Sequence, residues 1–134
     1  MASIDCIEGI GDVYGAKLRD HGIRTCEKLL DAGRTRKGRK TLASVTGLGD
    51  KRILEWVNRA DLMRVRGVST QYSDLLEAAG VDTVKELRQR NASNLCAAME
   101  KVNARKKLVR RTPPESVVTK WVAEAKQLRA VVTY

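Results

Sequence analysis

Residues 9–29, GIGDVYGAKLRDHGIRTCEKL, and residues 67–87, GVSTQYSDLLEAAGVDTVKEL, follow one pattern. At an offset of 58 residues, without a gap, Gly9, Ile10, Gly11, Tyr14, Leu18, Gly22, Ile23, Thr25 and Leu29 recur as Gly67, Val68, Ser69, Tyr72, Leu76, Gly80, Val81, Thr83 and Leu87. Self-similarity at a fixed spacing marks a repeated structural unit. In each copy a glycine turn opens a helix, Gly22 or Gly80 closes it, and Thr25 or Thr83 begins the next. The second glycine of such a turn tolerates φ > 0 and lets another backbone, or a phosphate, come close. The helix beyond it presents unpaired N–H groups and the positive end of its dipole, an arrangement that suits an anion.

Outward from the repeat, 134 residues make one ordinary domain or two very small ones, and roughly 60 residues alone bury only a marginal core. Two helical halves packed together, residues 1–63 and 64–134, are the expected organisation. Apolar residues make up 43% of the chain and phenylalanine is absent. The core must therefore come from Leu, Val, Ile and Ala, with Trp56 and Trp121 as large anchors. The formal charge is +10, with 12 basic against 9 acidic residues up to Met63 and 14 against 7 beyond it. Such a balance favours a polyanion partner, nucleic acid or an acidic protein surface, and says nothing of fold. Cys6, Cys26 and Cys96 are odd in number and widely spaced. They argue against a disulfide scaffold or zinc site and for a reducing cytoplasm. No apolar run approaches the ~18 residues of a membrane span, and none at the N-terminus reads as a signal peptide.

Between the repeated stretches the periodicity predicts further helices and no credible strand, so the fold class is all-α. Asp31, Ala32 and Gly33 are expected to break the helix that Thr25 caps. Arg34, Arg36, Lys37, Arg39 and Lys40 follow as a basic connector, five cations in seven residues. A short helix over residues 41–45, the turn Gly47-Leu48-Gly49 and a helix over residues 50–64 come next. The last carries Ile53, Trp56, Val57, Ala60 and Met63 as a core stripe. In the second half residues 94–102 read as helical, and residues 101–111 carry six cations where a glycine pair is expected. Thr112, Pro113, Pro114 and Glu115 form a helix start, with Thr112 as cap. Trp121 then stands where Trp56 stands, with about seven extra residues before it. Residues 131–134 have no assigned place.

The helix, Gly-Leu-Gly turn and helix across residues 42–59 resemble a helix-hairpin-helix motif. The larger unit is a helix ending in Gly-Ile-x-Thr, a second helix, a hairpin and a final helix. It resembles the fold of the C-terminal domain of the RNA polymerase alpha subunit. Taken whole, the chain is similar to a bacterial family of tandem helix-hairpin-helix proteins of unassigned function, with the best agreement over residues 7–30, 36–39, 55–64, 72–87 and 106–111. The resemblance implies two SAM-like helical units packed together. By analogy of motif alone it implies sequence-independent nucleic-acid binding, because fold does not determine function. It also permits a monovalent cation in the hairpin carbonyls, and no other cofactor or metal is expected.

In such motifs the hairpin amides and neighbouring cations hold a backbone phosphate without reading bases. Gly47, Leu48 and Gly49 are the leading candidate, with Lys51 and Arg52 in the first turn beyond them and Asp50 as a blemish. Glu8 and Asp12 flank Gly9-Ile10-Gly11 and argue for a packing turn there. Gly67, Val68 and Ser69 have Arg64 and Arg66 beside them, and Ser69 can still cap a helix. Arg34, Arg36, Lys37, Arg39 and Lys40 in one connector, and Lys106, Lys107, Arg110 and Arg111 in the other, add attraction. Tyr14 and Tyr72 share a place on the apolar face that reads as core rather than as base-stacking platforms. His21 reads as a helix-end residue, not a base. No P-loop, metal cluster or triad is present, so an enzyme is not expected. The resulting expectation is a non-enzymatic module on a DNA or RNA backbone, DNA ahead of RNA. A protein-interaction adaptor is the alternative, and a lyase using Lys51 is a weaker third. Oligomeric state stays open.

Overall fold

The computed structural model describes Ser3, Ile4, Ile7 and residues 10–133. Among them are eight helices and no strand, and no helix is long and apolar enough to cross a membrane. Contacts divide the chain into two compact units, Met1–Asp61 with Val131–Tyr134, and Leu62–Ala130. The boundary thus falls two residues before the expected one, and the tail joins the first unit rather than the second. The Thr133 N–H donates to the Arg34 carbonyl at 2.7 Å, and the buried Arg39 guanidinium donates to the Thr133 carbonyl at 2.6 Å.

The first unit holds α1 (Gly11–Asp20), α2 (Cys26–Gly33), α3 (Arg36–Thr46) and α4 (Asp50–Leu62), whose last residue belongs by contact to the second unit. Gly22, at φ +82°, lets the chain turn out of α1 while the Gly22 and Ile23 amides donate back to Arg19 and Leu18. Thr25 then caps α2, its hydroxyl accepting from the Lys28 amide at 3.2 Å. The helix runs through Asp31–Gly33 instead of breaking there. Only Arg34 and Thr35 separate it from α3, because Thr35 caps α3 by accepting from the Gly38 amide at 3.1 Å. The basic connector is therefore mostly the first turns of a helix. Two glycines make this close return of the chain feasible. A Cβ on Gly38 would strike the Ala32 carbonyl, and one on Gly33 would strike Val57 of α4. Ile4, Ile7, Ile10, Leu18, Leu29, Ile53 and Val57 are fully buried in this unit, so the N-terminal lead-in supplies part of its core.

The second unit holds α5 (Thr70–Ala78), α6 (Val84–Leu87), α7 (Ala92–Lys106) and α8 (Glu115–Gln127). Gly80 (φ +97°) and Thr83, whose hydroxyl accepts from the Glu86 amide, do here what Gly22 and Thr25 do in the first unit. Helix α7 is longer than the expected 94–102: the Asn91 carboxamide caps it by accepting from the Asn94 amide, and it continues to Lys106. Arg105 and Lys106 in its last turn complement the dipole. Helix α8 begins two residues later than a Thr112 cap would place it. Pro114 is its N-cap, without a side-chain cap hydrogen bond. The core gathers Leu62, Leu75, Leu76, Leu87, Leu95, Met99 and Val118 around Trp121.

The paired aromatics have the same neighbours in the two units. Tyr14 packs on Trp56 with ring centroids 5.8 Å apart, and Tyr72 packs on Trp121 at 5.3 Å, both tilted. Helix α7 is longer than α3, and residues 107–114 link α7 to α8 where only residues 47–49 link α3 to α4.

Candidate functional site

In the first unit the turn from α3 to α4 is built on one backbone requirement. Gly47 adopts φ +75°, ψ 11°, and its amide donates to the Ala43 carbonyl at 2.9 Å, ending α3 in the left-handed conformation. Leu48 is buried as the plug of the turn. Gly49 is exposed and outside the left-handed region, and a Cβ built on it meets nothing. The first-turn amides of α4 follow directly, groups that have no partner within a helix. Arg36, Arg39, Lys40, Asp50, Lys51 and Leu54 line a groove of about 440 Å³ between α3 and α4. Arg36 and Lys40 also border a shallow depression of about 670 Å³ shared with Lys37, Thr41, Ser44 and Val45. The fold thus brings the start of the basic helix α3 against the first turn of α4.

Two residues of the candidate set are engaged elsewhere. Arg39 is 5% exposed, and its guanidinium donates to the Gly33 carbonyl at 2.9 Å and to Thr133. It braces the groove from below and is withdrawn from any ligand. Arg52 lies over the Tyr14 ring, 5.3 Å from its centroid, and donates to its hydroxyl at 3.1 Å. Arg34 is exposed beside the tail it anchors. Of the first turn, Gly9 and Glu8 lie outside the described residues, as does Cys6. Gly11 has φ +67° and Asp12 sits in the first turn of α1.

In the second unit the structure separates the candidates into two places. Ser69 caps α5, accepting from the Tyr72 amide at 3.3 Å. The turn before it is occupied: the Arg66 amide donates to the Glu124 carboxylate at 2.9 Å. Gly67, at φ +87°, leaves room for Trp121, whose Nε1 would lie 3.2 Å from a Cβ there. Arg64 donates to the Arg129 carbonyl at 2.7 Å. A carboxylate already on an amide of this turn makes it a packing turn rather than an anion seat.

The remaining cations come together with α5. Gln71, Tyr72, Asn103, Lys107, Leu108, Val109, Arg110 and Arg111 line a concavity of about 660 Å³. Lys107 ends α7 at φ 51°, ψ 47°, with its amide donating to the Asn103 carbonyl. It occupies the left-handed place that Gly47 fills in the first unit, and no other non-glycine residue among those described has positive φ. Asn103 clamps the loop beyond it, donating to the Val109 carbonyl and accepting from the Val109 amide, both at 3.0 Å. The Tyr72 hydroxyl donates to the Arg111 carbonyl at 3.4 Å. Lys106, exposed, ends the helix above. From sequence Tyr72 is weighed as a base-stacking platform and set aside as core, and Asn103 is not singled out at all. Tyr72 reads as core because its spacing matches Tyr14, and Asn103 acquires its role only when the loop folds back.

Cys96 is buried under this loop, its thiol directed at the Pro113 carbonyl at 3.6 Å and near Glu100. Burial first, then the carboxylates of Glu100 and Glu115, push this thiol above the ordinary range. Among the described residues no group of three His, Cys, Asp or Glu side chains is placed to hold a metal ion.

A family profile described as Domain of unknown function (DUF4332) matches residues 8–128. The chain belongs to this family. The matched span of the DUF4332 domain takes in most of both units and the residues lining both basic grooves. No curated protein and no solved structure matches the chain.

Proposed function

We propose that this DUF4332 protein is a non-enzymatic nucleic-acid-binding module that grips the phosphodiester backbone largely without regard to sequence, DNA ahead of RNA. The observation that carries the reading is the groove of the first unit. There Arg36, Lys40 and Lys51 line one groove with Asp50, at the start of α4, which directly follows the glycine turn. Exposed cations and helix-start amides, which have no partner within their own helix, are what a phosphate needs, and none of them reads a base edge. In this reading the turn is a helix-hairpin-helix hairpin, and the second unit is a diverged copy whose glycine turn has become a basic loop. Asp50 on the groove wall lowers affinity for one phosphate without closing the groove. The adaptor alternative draws on Val13 and Val45, 68% and 45% exposed. Single exposed apolar residues are ordinary on soluble domains and carry less weight than converging cations.

Anisotropy of a labelled random-sequence duplex across a salt series tests the proposal. Neutralising four or five phosphates gives a slope of log affinity against log salt of roughly −4, with dissociation constants of about 10⁻⁴ to 10⁻⁶ M. Absence of binding at low salt, despite the charge of +10, favours the adaptor. Nicking at an abasic site favours a lyase. The discriminating variant is Gly49→Ala: its Cβ meets no protein atom, so stability changes by less than about 1 kcal/mol, while a methyl group between the amides and a phosphate weakens binding several-fold.

A further inference from the structure

The two units present different chemistry in their grooves. In the first, Tyr14 lies beneath Arg52, and the groove between α3 and α4 is lined by Arg36, Arg39, Lys40, Asp50, Lys51 and Leu54, without an aromatic ring. In the second, Tyr72 itself lines the concavity, with Lys107, Arg110 and Arg111 around it and the half-buried Leu108 on its wall. The ring is held in place before any ligand arrives. Trp121 packs against it at 5.3 Å and its hydroxyl is tied to the Arg111 carbonyl. The loop that carries the cations is likewise fastened, by the two hydrogen bonds of Asn103. A volume of about 660 Å³ is within the ~300–1,000 Å³ of small-ligand sites.

We infer that the second-unit concavity takes one unstacked nucleobase against Tyr72, with the flanking phosphates on Lys107, Arg110 and Arg111, so that this unit binds single-stranded nucleic acid. The inference rests on the backbone-binding reading and deepens it. An oriented aromatic ring among exposed cations is the combination that single-strand-binding surfaces use, since every base has a π-face and every linkage a charge. A continuous duplex keeps its bases stacked and offers none to the ring. The exposed Gln71 amide supplies one donor and one acceptor near the base edge, too few for a sequence code.

The test compares three labelled probes on the unaltered chain: a ten-residue oligothymidylate, an abasic phosphodiester strand of equal length and charge, and a blunt duplex. Stacking of one base at about 1.4 kcal/mol predicts roughly tenfold tighter binding of oligothymidylate than of the abasic strand. Tyr72→Leu should abolish that difference and Tyr72→Phe should keep it. Where Tyr72→Leu fails to fold, the probe comparison on the unaltered protein decides alone. Equal affinity for the base-bearing and abasic strands overturns the inference and leaves backbone binding intact. Failure to bind any of the three overturns both.

Discussion

Among the described residues Lys107 is the one non-glycine in the left-handed region, at the end of α7, where α3 of the first unit ends on a glycine. A Cβ in that region costs on the order of 1 kcal/mol. Lys107→Gly is therefore expected to stabilise the chain by about 0.5–1 kcal/mol, read as a higher urea midpoint, and to weaken binding at the second groove. Asn103 shows the opposite case, a polar side chain whose two hydrogen bonds hold a loop. Asn103→Ala should cost about 1–2 kcal/mol, read by the same titration, and loosen the loop. For Cys96 the raised thiol has a pH consequence. The unfolded chain ionises this thiol near pH 8.5 and the folded chain only higher. The stability it contributes is complete below that pH and is lost as pH rises toward the folded value. Urea midpoints at pH 7 to 10 should fall more steeply for the native chain than for Cys96→Ala.

Helices α3 and α4 position the first groove, and their junction separates two uses of glycine. Gly47 is required by its φ of +75°, although a Cβ there would meet open space. Gly47→Ala should therefore cost about 1 kcal/mol, a thermal shift of several degrees for a domain this size. Gly49→Ala should cost less than Gly47→Ala and reduce duplex affinity. Equal loss of stability in the two variants would mean that Gly49 is structural. The pair of glycines is visible in the sequence, but their division of labour is not, since it depends on dihedral angle and on what lies beyond each Cα. The same holds for α3. Five cations in seven residues read as a connector until Thr35 is seen capping a helix, which sends Arg39 inward and leaves Arg36 and Lys40 one turn apart on the groove.

Across the molecule, the tail is the clearest instance of distant sequence completing a unit. Val132 is buried, and Thr133 pairs with Arg34 and Arg39, almost a hundred residues earlier. Removing residues 131–134 leaves a buried guanidinium short of an acceptor and should cost about 3 kcal/mol. Arg39→Ala in the shortened chain should cost clearly less than in the full one, because the two changes break one contact. Strict additivity in that double-mutant cycle would show the contact to be energetically silent.

Local rules sufficed for the all-α class, for the threonine caps at Thr25 and Thr83 and for the left-handed stops at Gly22 and Gly80. Each is settled within a few residues by propensity, φ sterics and a side chain reaching its neighbours' amides. The paired Tyr and Trp positions were legible for a related reason: hydrophobic spacing on a helix fixes which residues turn inward. The partition of charge was not legible that way. Arg39 buried, Arg52 lying on Tyr14, Glu124 occupying the Arg66 amide and Tyr72 lining a basic concavity are contacts between residues far apart in the chain. A cation's environment depends on which carbonyl, ring or carboxylate the folded chain delivers to it, and composition does not encode that meeting.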